Sequence, residues 1–310
     1  MSSINTNTSA MNALTTLRSV NKNLATTQDR IGSGLKISSA KDNAAYFSIS
    51  STMKGDSGMY AAIDEGLTLT KNSLTVARKG AEEFVNLTKQ FAEKISFAQT
   101  ESMDRASVQL ELDELVKQMD TVIKQSTFNG ESWVSLTATE KGVTGAVAYQ
   151  ASAPADATDP GNVIPAKVAT LGTSPISVVT GVTRGNATFD VTNHKLNKVD
   201  LDSLKGVLDG IDISPANADL PGTLKKVQEV LKLATTAATT LGLNEKTIET
   251  QQEFLKTVVD TLDTGVGAMV DADMEAEAAR LQALQTQQQL ATQALSVANQ
   301  GPSNLMSLFR

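Results

Sequence analysis

Between Leu281 and Phe309 lie twenty-nine residues without a charged side chain, yet the stretch is too rich in Gln, Ser, Thr and Asn for a membrane span. The other end of the chain matches it, since residues 1–28 carry only Arg18 and Lys22. Both ends show apolar residues at helical spacing. A solvated helix normally sets a charged face opposite its apolar stripe, and these two have none. Burial along one narrow stripe must offset backbone ordering of about 1–2 kcal/mol per residue, so such a helix is marginal alone in water. The partner it requires is another copy of the same chain, which makes the protein a homo-oligomer.

Composition narrows the function. With eight Phe, three Tyr and one Trp in 310 residues, small apolar side chains dominate, as suits long, closely packed helices. No Cys is present, which removes disulfides, thiol nucleophiles and zinc-thiolate sites. The single histidine, His194, excludes His-based metal clusters and leaves no charge-relay triad to assemble. A net charge of -7 without a basic stripe argues against a nucleic-acid partner. Met1 to Ala10 lacks a basic segment followed by an apolar one, so no Sec-type signal peptide is expected. No window reaches eighteen continuous apolar residues, and no membrane insertion is expected. On these grounds alone the chain would be assigned to the cytoplasm.

Proline marks the organisation. Pro154, Pro160, Pro165, Pro175, Pro215 and Pro221 cluster in the middle, and Pro302 is expected to close the last helix. Elsewhere a 4,3 apolar spacing recurs. The first seam runs Ala10, Leu14, Leu17, Asn21, Leu24, Gln28, Ile31 and ends at Gly32 and Gly34. A second runs from Ile63 through Leu67, Leu74, Phe84 and Phe91 to Ala98, and a third from Val108 to Val122. After the middle segment, Leu224 to Leu241 forms a fourth. The last long helix is expected to start with Asn244 as N-cap. Its seam passes Ile248, Leu255 and Val266, slips phase by one residue, and continues through Glu277, Leu281, Leu284, Gln288, Ala291, Leu295 and Ala298. Amide side chains inside a seam fix register at some cost in stability, which is the role read for Asn21, Gln28 and Gln288. The fold class is therefore mainly α: a long helical coiled-coil or bundle core from both termini, with a small β-rich insertion. In that insertion Ala187–Thr192 alternates with period two, and Gly142–Tyr149 and Ile176–Thr180 are rich in Val, Ile and Thr.

Nothing points to catalysis. Asp271, Asp273, Glu275 and Glu277 are expected on one helix, where residues two apart diverge and cannot form an oxygen cage. Asp200, Asp202, Asp209 and Asp212, read as a linker, lack the spaced glycine of a calcium loop. Ile31-Gly32-Ser33-Gly34 has no following Lys-Ser/Thr and no preceding strand, so it reads as a hinge at Gly32 and Gly34, not a phosphate cradle. His194 sits in a turn-like Asn193-His194-Lys195 setting, no nucleophile stands beside a base, and no cofactor is implied.

Several motifs resemble one family. Ser3-Ile4-Asn5-Thr6-Asn7, Arg30-Ile31-Gly32-Ser33-Gly34-Leu35-Lys36-Ile37 and Ser39-Ala40-Lys41-Asp42-Asn43-Ala44-Ala45 are similar to the N-terminal signature of bacterial flagellins. Thr127-Phe128-Asn129-Gly130 resembles the segment closing that family's N-terminal helical half. Asp271-Ala272-Asp273 with Glu277, Ala298-Asn299-Gln300 with Pro302, and Leu305 to Arg310 complete the likeness at the other end. The resemblance implies an extracellular filament subunit for swimming motility, exported by the flagellar type III system without a cleaved signal peptide. It implies a division into 1–44 (N-terminal inner core), 45–130 (outer core), 131–221 (variable surface domain), 222–267 (outer core) and 268–310 (C-terminal inner core). The expected partners are further copies of the chain, an export chaperone, the filament cap and the hook-filament junction proteins. A hook-filament junction protein or a type III-secreted adhesin is the alternative.

Departures from the family pattern are local. Gly32 and Asn43 replace Ser and Asp, and Thr286-Gln287 replaces an aliphatic pair. The family stretch read by an animal innate immune receptor aligns with Asn86-Leu87-Thr88-Lys89-Gln90-Phe91, where loss of the first Arg removes a bidentate donor. Weak receptor activation is the expectation.

Overall fold

The computed structural model describes residues 7–100, 104–136, 173–184, 189–214 and 219–308. Six helices and four strands appear among them: α1 (Thr8–Ser33), α2 (Ala44–Ala98), α3 (Arg105–Gln125), β1 (Thr127–Phe128), β2 (Glu131–Ser132), β3 (Thr173–Arg184), β4 (Phe189–Val199), α4 (Leu201–Asp209), α5 (Leu220–Val270) and α6 (Met274–Leu308). The fold is mainly helical with a small β insertion in the middle. The chain divides into two compact units, one of residues 1–58 and 258–310, the other of Met59–Thr257.

The second unit is a bundle with a continuous apolar core. The α2 seam lies inside it: Leu67, Leu74, Ala77, Ala81, Phe84, Phe91, Ile95 and Ala98 are all at most 1% exposed. From α3, Val108, Leu112, Leu115, Met119 and Ile123 pack against the same cluster, and α5 adds Val227, Val230, Ala234, Ala237, Leu241, Ile248 and Leu255. Each fully buried Leu, Ile or Phe contributes about 1.5–3 kcal/mol, so this unit has the burial to stand as a folded body. Close helix packing requires Gly80, because a Cβ there would overlap the Ser126 side chain. The β1–β2 hairpin turns through Asn129 (φ 51°) and Gly130 (φ 81°), two consecutive left-handed residues, as an Asn-Gly two-residue loop demands. Beyond β2, Trp133 and Val134 are buried, and their carbonyls accept from the Val199 and Leu201 amides. The β3–β4 hairpin is antiparallel with an irregularity between Val179 and Gly181. The Thr180 carbonyl released there accepts from Gln251 Nε2 at 2.8 Å, and Tyr60 donates its hydroxyl to the Val182 carbonyl at 2.8 Å.

Several expectations need correction. Asn244 is not an N-cap: α5 runs unbroken through it, because Leu241 and Ile248 on either side are both fully buried on one continuous face. Its side chain instead donates to the Asn197 carbonyl at 3.0 Å. The segment after Asp200 is not a linker but α4, capped by Asp200, whose Oδ1 accepts from the Ser203 amide. Leu201, Leu204 and Leu208 of α4 are each at most 1% exposed. His194 lies in β4 opposite Val178, not in a turn. Phe189–Thr192 begins β4, whereas Ala187, Thr188 and the Gly142–Tyr149 segment lie outside the described residues, as does Ser3–Thr6.

Candidate assembly interface

In the first unit α1 and α6 form an antiparallel pair, tied from end to end by polar contacts. Asn7 Nδ2 donates to the Ala298 carbonyl at 2.8 Å, Gln288 Nε2 to Asn21 Oδ1 at 2.8 Å, and Arg30 Nη1 to Glu277 Oε1 at 3.0 Å. The α1 N-terminus is capped by Asn7, whose Oδ1 accepts from the Ala10 amide. Its C-terminus is capped by Gly34 in the left-handed conformation (φ 73°), donating to the Arg30 carbonyl, while Gly32 lies inside the last helical turn.

The α6 face is the stripe the spacing predicts. Glu277, Leu284 and Ala291 are buried, with Leu281, Gln288, Leu295 and Ala298 half-buried along the same line. On α1 the predicted seam is half right. Leu17, Leu24 and Ile31 lie on the packed face, but Leu14 and Gln28 do not, and Asn21 stays exposed and meets α6 only through its hydrogen bond from Gln288; the buried positions are Val20 and Thr27, with Ala13 half-buried. The reason is phase. Spacings of 3,4 and 4,3 share Ala10, Leu17, Leu24 and Ile31, and only the intervening residue differs; the slender Ala13, Val20 and Thr27 let α6 approach.

The two helix breaks face each other. Leu35 bridges to Asp271, the Lys36 amide donates to the Val270 carbonyl at 2.7 Å, and the Ala272 amide donates to the Gly34 carbonyl at 2.9 Å. Ile37, Val266 and Val270 form a small apolar cluster with Phe47 and Met53 against it. Consequently Asp271 and Asp273 do not continue a single helix into Glu277, as the acidic run suggested. Asp271 lies in the break, and Asp273 caps α6, its Oδ1 accepting from the Glu275 and Ala276 amides. The phase slip read between Val266 and Val270 is the sequence trace of this break. After α1 the chain turns on Asp42, whose Oδ2 takes hydrogen bonds from Ser38 and Ser39. The Ser39 hydroxyl foremost, then the Ser38 amide, hold that carboxyl below the ordinary aspartate range. Asn43 follows as the cap of α2, accepting from the Ala45 and Tyr46 amides. The Ser-Ala-Lys-Asp-Asn-Ala-Ala motif is thus a turn and a helix cap.

Pro302 does not close α6, which continues to Leu308. Among Asn86–Phe91 of α2, Leu87, Thr88 and Phe91 are buried and Asn86, Lys89 and Gln90 exposed. Asn86 and Lys89 line a groove of about 550 Å³ between α2 and α5, together with Arg78, Glu82, Val85 and Leu243. Arg78 spans it, pairing with Glu245 and Glu82 at 2.6 Å each. Burial works against ionisation of Glu245, but hydrogen bonds from Thr75 and Arg78 outweigh it and hold its carboxyl below the usual range.

The profile for the bacterial flagellin N-terminal helical region matches residues 4–139, and that for the bacterial flagellin C-terminal helical region matches residues 224–309. The chain belongs to the bacterial flagellin family. Similarity to individual flagellins extends over whole chains. Flagellin C of Rhizobium meliloti (strain 1021) is 32% identical over 329 residues, covering 100% of both proteins. Flagellin of Brucella melitensis biotype 1 is 32% identical over 316 residues, and Flagellin A of Rhizobium meliloti (strain 1021) 31% over 396, each again covering 100% of both chains. As a flagellin the chain is a structural subunit of the extracellular flagellar filament that drives swimming. Helices α1, α2, α3 and α6, and α5 from residue 224 onward, fall in the two matched regions. No described helix is long and apolar enough to cross a membrane.

Proposed function

We propose that the α1–α6 pair is the inner-core assembly element of this flagellin, and that it is complete only when neighbouring copies enclose it. One observation carries the reading. The pair buries a single narrow stripe, while Met11, Leu290 and Val297 on its other faces are 63%, 59% and 68% exposed, and from Leu281 onward α6 has no charged side chain to keep such a face in water. Leu14 and Gln28, off the stripe packed on α6, supply a further apolar and a further amide group for another copy. Residues 1–44 and 268–310 are then the inner core, 45–130 and 222–267 the outer core, and 131–221 the surface domain. Contacts between copies are heterologous and propagate as a helix instead of closing a ring.

In this reading Gly34, with Gly32 in the turn before it, is the hinge that lets the terminal pair order on assembly. The chain is exported unfolded by the flagellar type III system and meets an export chaperone, the hook-filament junction proteins and the filament cap. The Asn86–Phe91 stretch offers Lys89 and Asn86 without the family's first Arg, and an animal innate immune receptor is expected to respond weakly. The deciding experiment is seeded elongation: purified monomer added to filament fragments should extend them into long filaments. Monomer that stays soluble under these conditions would return the chain to a junction protein or an adhesin.

A further inference from the structure

In an α-helix the carbonyl of residue 298 receives the N–H of residue 302, and here residue 302 is proline, which has none. Yet α6 continues beyond it to Leu308. The Ala298 carbonyl that Pro302 leaves open is the one that Asn7 Nδ2 occupies, at 2.8 Å. The other end of the same amide is also engaged: Asn7 Oδ1 accepts from the Ala10 amide at 3.0 Å and starts α1. One side chain therefore caps the first helix and takes the carbonyl left open by a proline 295 positions later in the chain, as an amide can, accepting on its oxygen and donating from its nitrogen.

We propose that Asn7 and Pro302 form a lock that fixes the register of the two chain ends against each other, Pro302 by vacating the Ala298 carbonyl and Asn7 by taking it. The apolar residues beside the lock, Ala10, Leu17, Leu295 and Ala298, are only half-buried, and further along the pair Gln288 donates to Asn21. The proline is thus a specificity device: it costs α6 one internal hydrogen bond and reserves that acceptor for the other terminus.

The lock rests on the filament reading above, and the test separates the two. Asn7→Asp keeps the capping oxygen but loses the amide donor; Pro302→Ala restores an N–H at residue 302 and returns the Ala298 carbonyl to its own helix. Critical concentration for seeded elongation, measured by sedimentation, is compared for the wild type, both single variants and the double variant. In the wild-type background Asn7→Asp is expected to raise it about 2- to 10-fold, the worth of one partly buried hydrogen bond. In the Pro302→Ala background the same change should have less than about a 2-fold effect, since the acceptor is already filled. Asn7→Ser, which keeps a capping oxygen without a charge, should reproduce both values if the donor is what matters. Equal effects of Asn7→Asp in the two backgrounds, or no effect in the wild type, would overturn the lock while leaving the filament reading intact. Failure of the wild type itself to elongate would defeat both.

Discussion

The seam of α2 and the stripe of α1 have the same helical spacing and opposite fates. In the bundle Leu67, Leu74, Phe84 and Phe91 are enclosed on every side, none more than 1% exposed. In the terminal pair Val20 and Thr27 are the buried residues of α1, and Leu14 is 36% exposed. Spacing decides which face of a helix is apolar; the number of neighbours decides how much of that face leaves water. The bundle has its neighbours within one chain. The terminal pair has one neighbour and leaves most of its surface in water, and on the proposed reading that difference gives folding to one region and assembly to the other.

Removing residues 281–310 should produce the largest effect and confine it to one region. Elongation is expected to vanish, while circular dichroism keeps most of the helical signal of the bundle; unimpaired elongation would break the assignment. Next, Phe84→Ala should cost the monomer about 3–5 kcal/mol by leaving a cavity in a closed core. Leu284→Ala should move the monomer's urea midpoint hardly at all and weaken elongation instead. If both substitutions shifted the midpoint alike, the two regions would not differ as described.

A smaller effect tests the tightness of the bundle. Gly80→Ala drives a methyl into Ser126 and is expected to destabilise the monomer by about 1–3 kcal/mol. Adding Ser126→Gly should recover part of that loss in the same urea titration, and additive losses would mean that the helices do not meet there.

The smallest effect is electrostatic. Hydrogen bonds from Lys124 and then Lys205 hold the Asp120 carboxyl below the ordinary aspartate range, and Lys205 is held above the ordinary lysine range chiefly by the same Asp120. A carboxylate depressed on folding adds stability that is complete above its unfolded value, about 3.9, and lost as pH falls through the lower folded value. The urea midpoint of the bundle should therefore decline modestly below about pH 4, and Asp120→Asn should flatten the decline. A profile that the substitution leaves unchanged would remove Asp120 from the account.

Much of this was legible in the residues. The α2 seam from Ile63 to Ala98 and the α6 stripe from Glu277 to Ala298 follow directly from spacing, because each has one apolar face wide enough to fix its phase. The α1 stripe was not legible at every second position. Leu14 outweighs Ala13 in any hydrophobicity count, but Ala13 and Thr27 are what a closely approaching partner can accommodate. Helix α4 hides in an aspartate-rich stretch, although Asp200 before Leu201, Leu204, Val207 and Leu208 is a cap followed by an amphipathic turn and could have revealed it. Asn244 after Gly242 mimics a helix start, and only the burial of Leu241 and Ile248 overrides it. The meeting of Gly34–Ile37 with Val270–Ala272 could not be read locally, since it depends on the antiparallel docking of segments from opposite ends.

Hydrogen exchange followed by mass spectrometry, on monomer and on filament, tests the central claim most directly. The account predicts that peptides from 8–33 and 274–308 exchange within seconds in the monomer and become protected by orders of magnitude in the filament, while peptides from 67–98 and 227–255 are protected in both. Terminal helices already as protected in the dilute monomer as the bundle is, and no further protected in the filament, would contradict it.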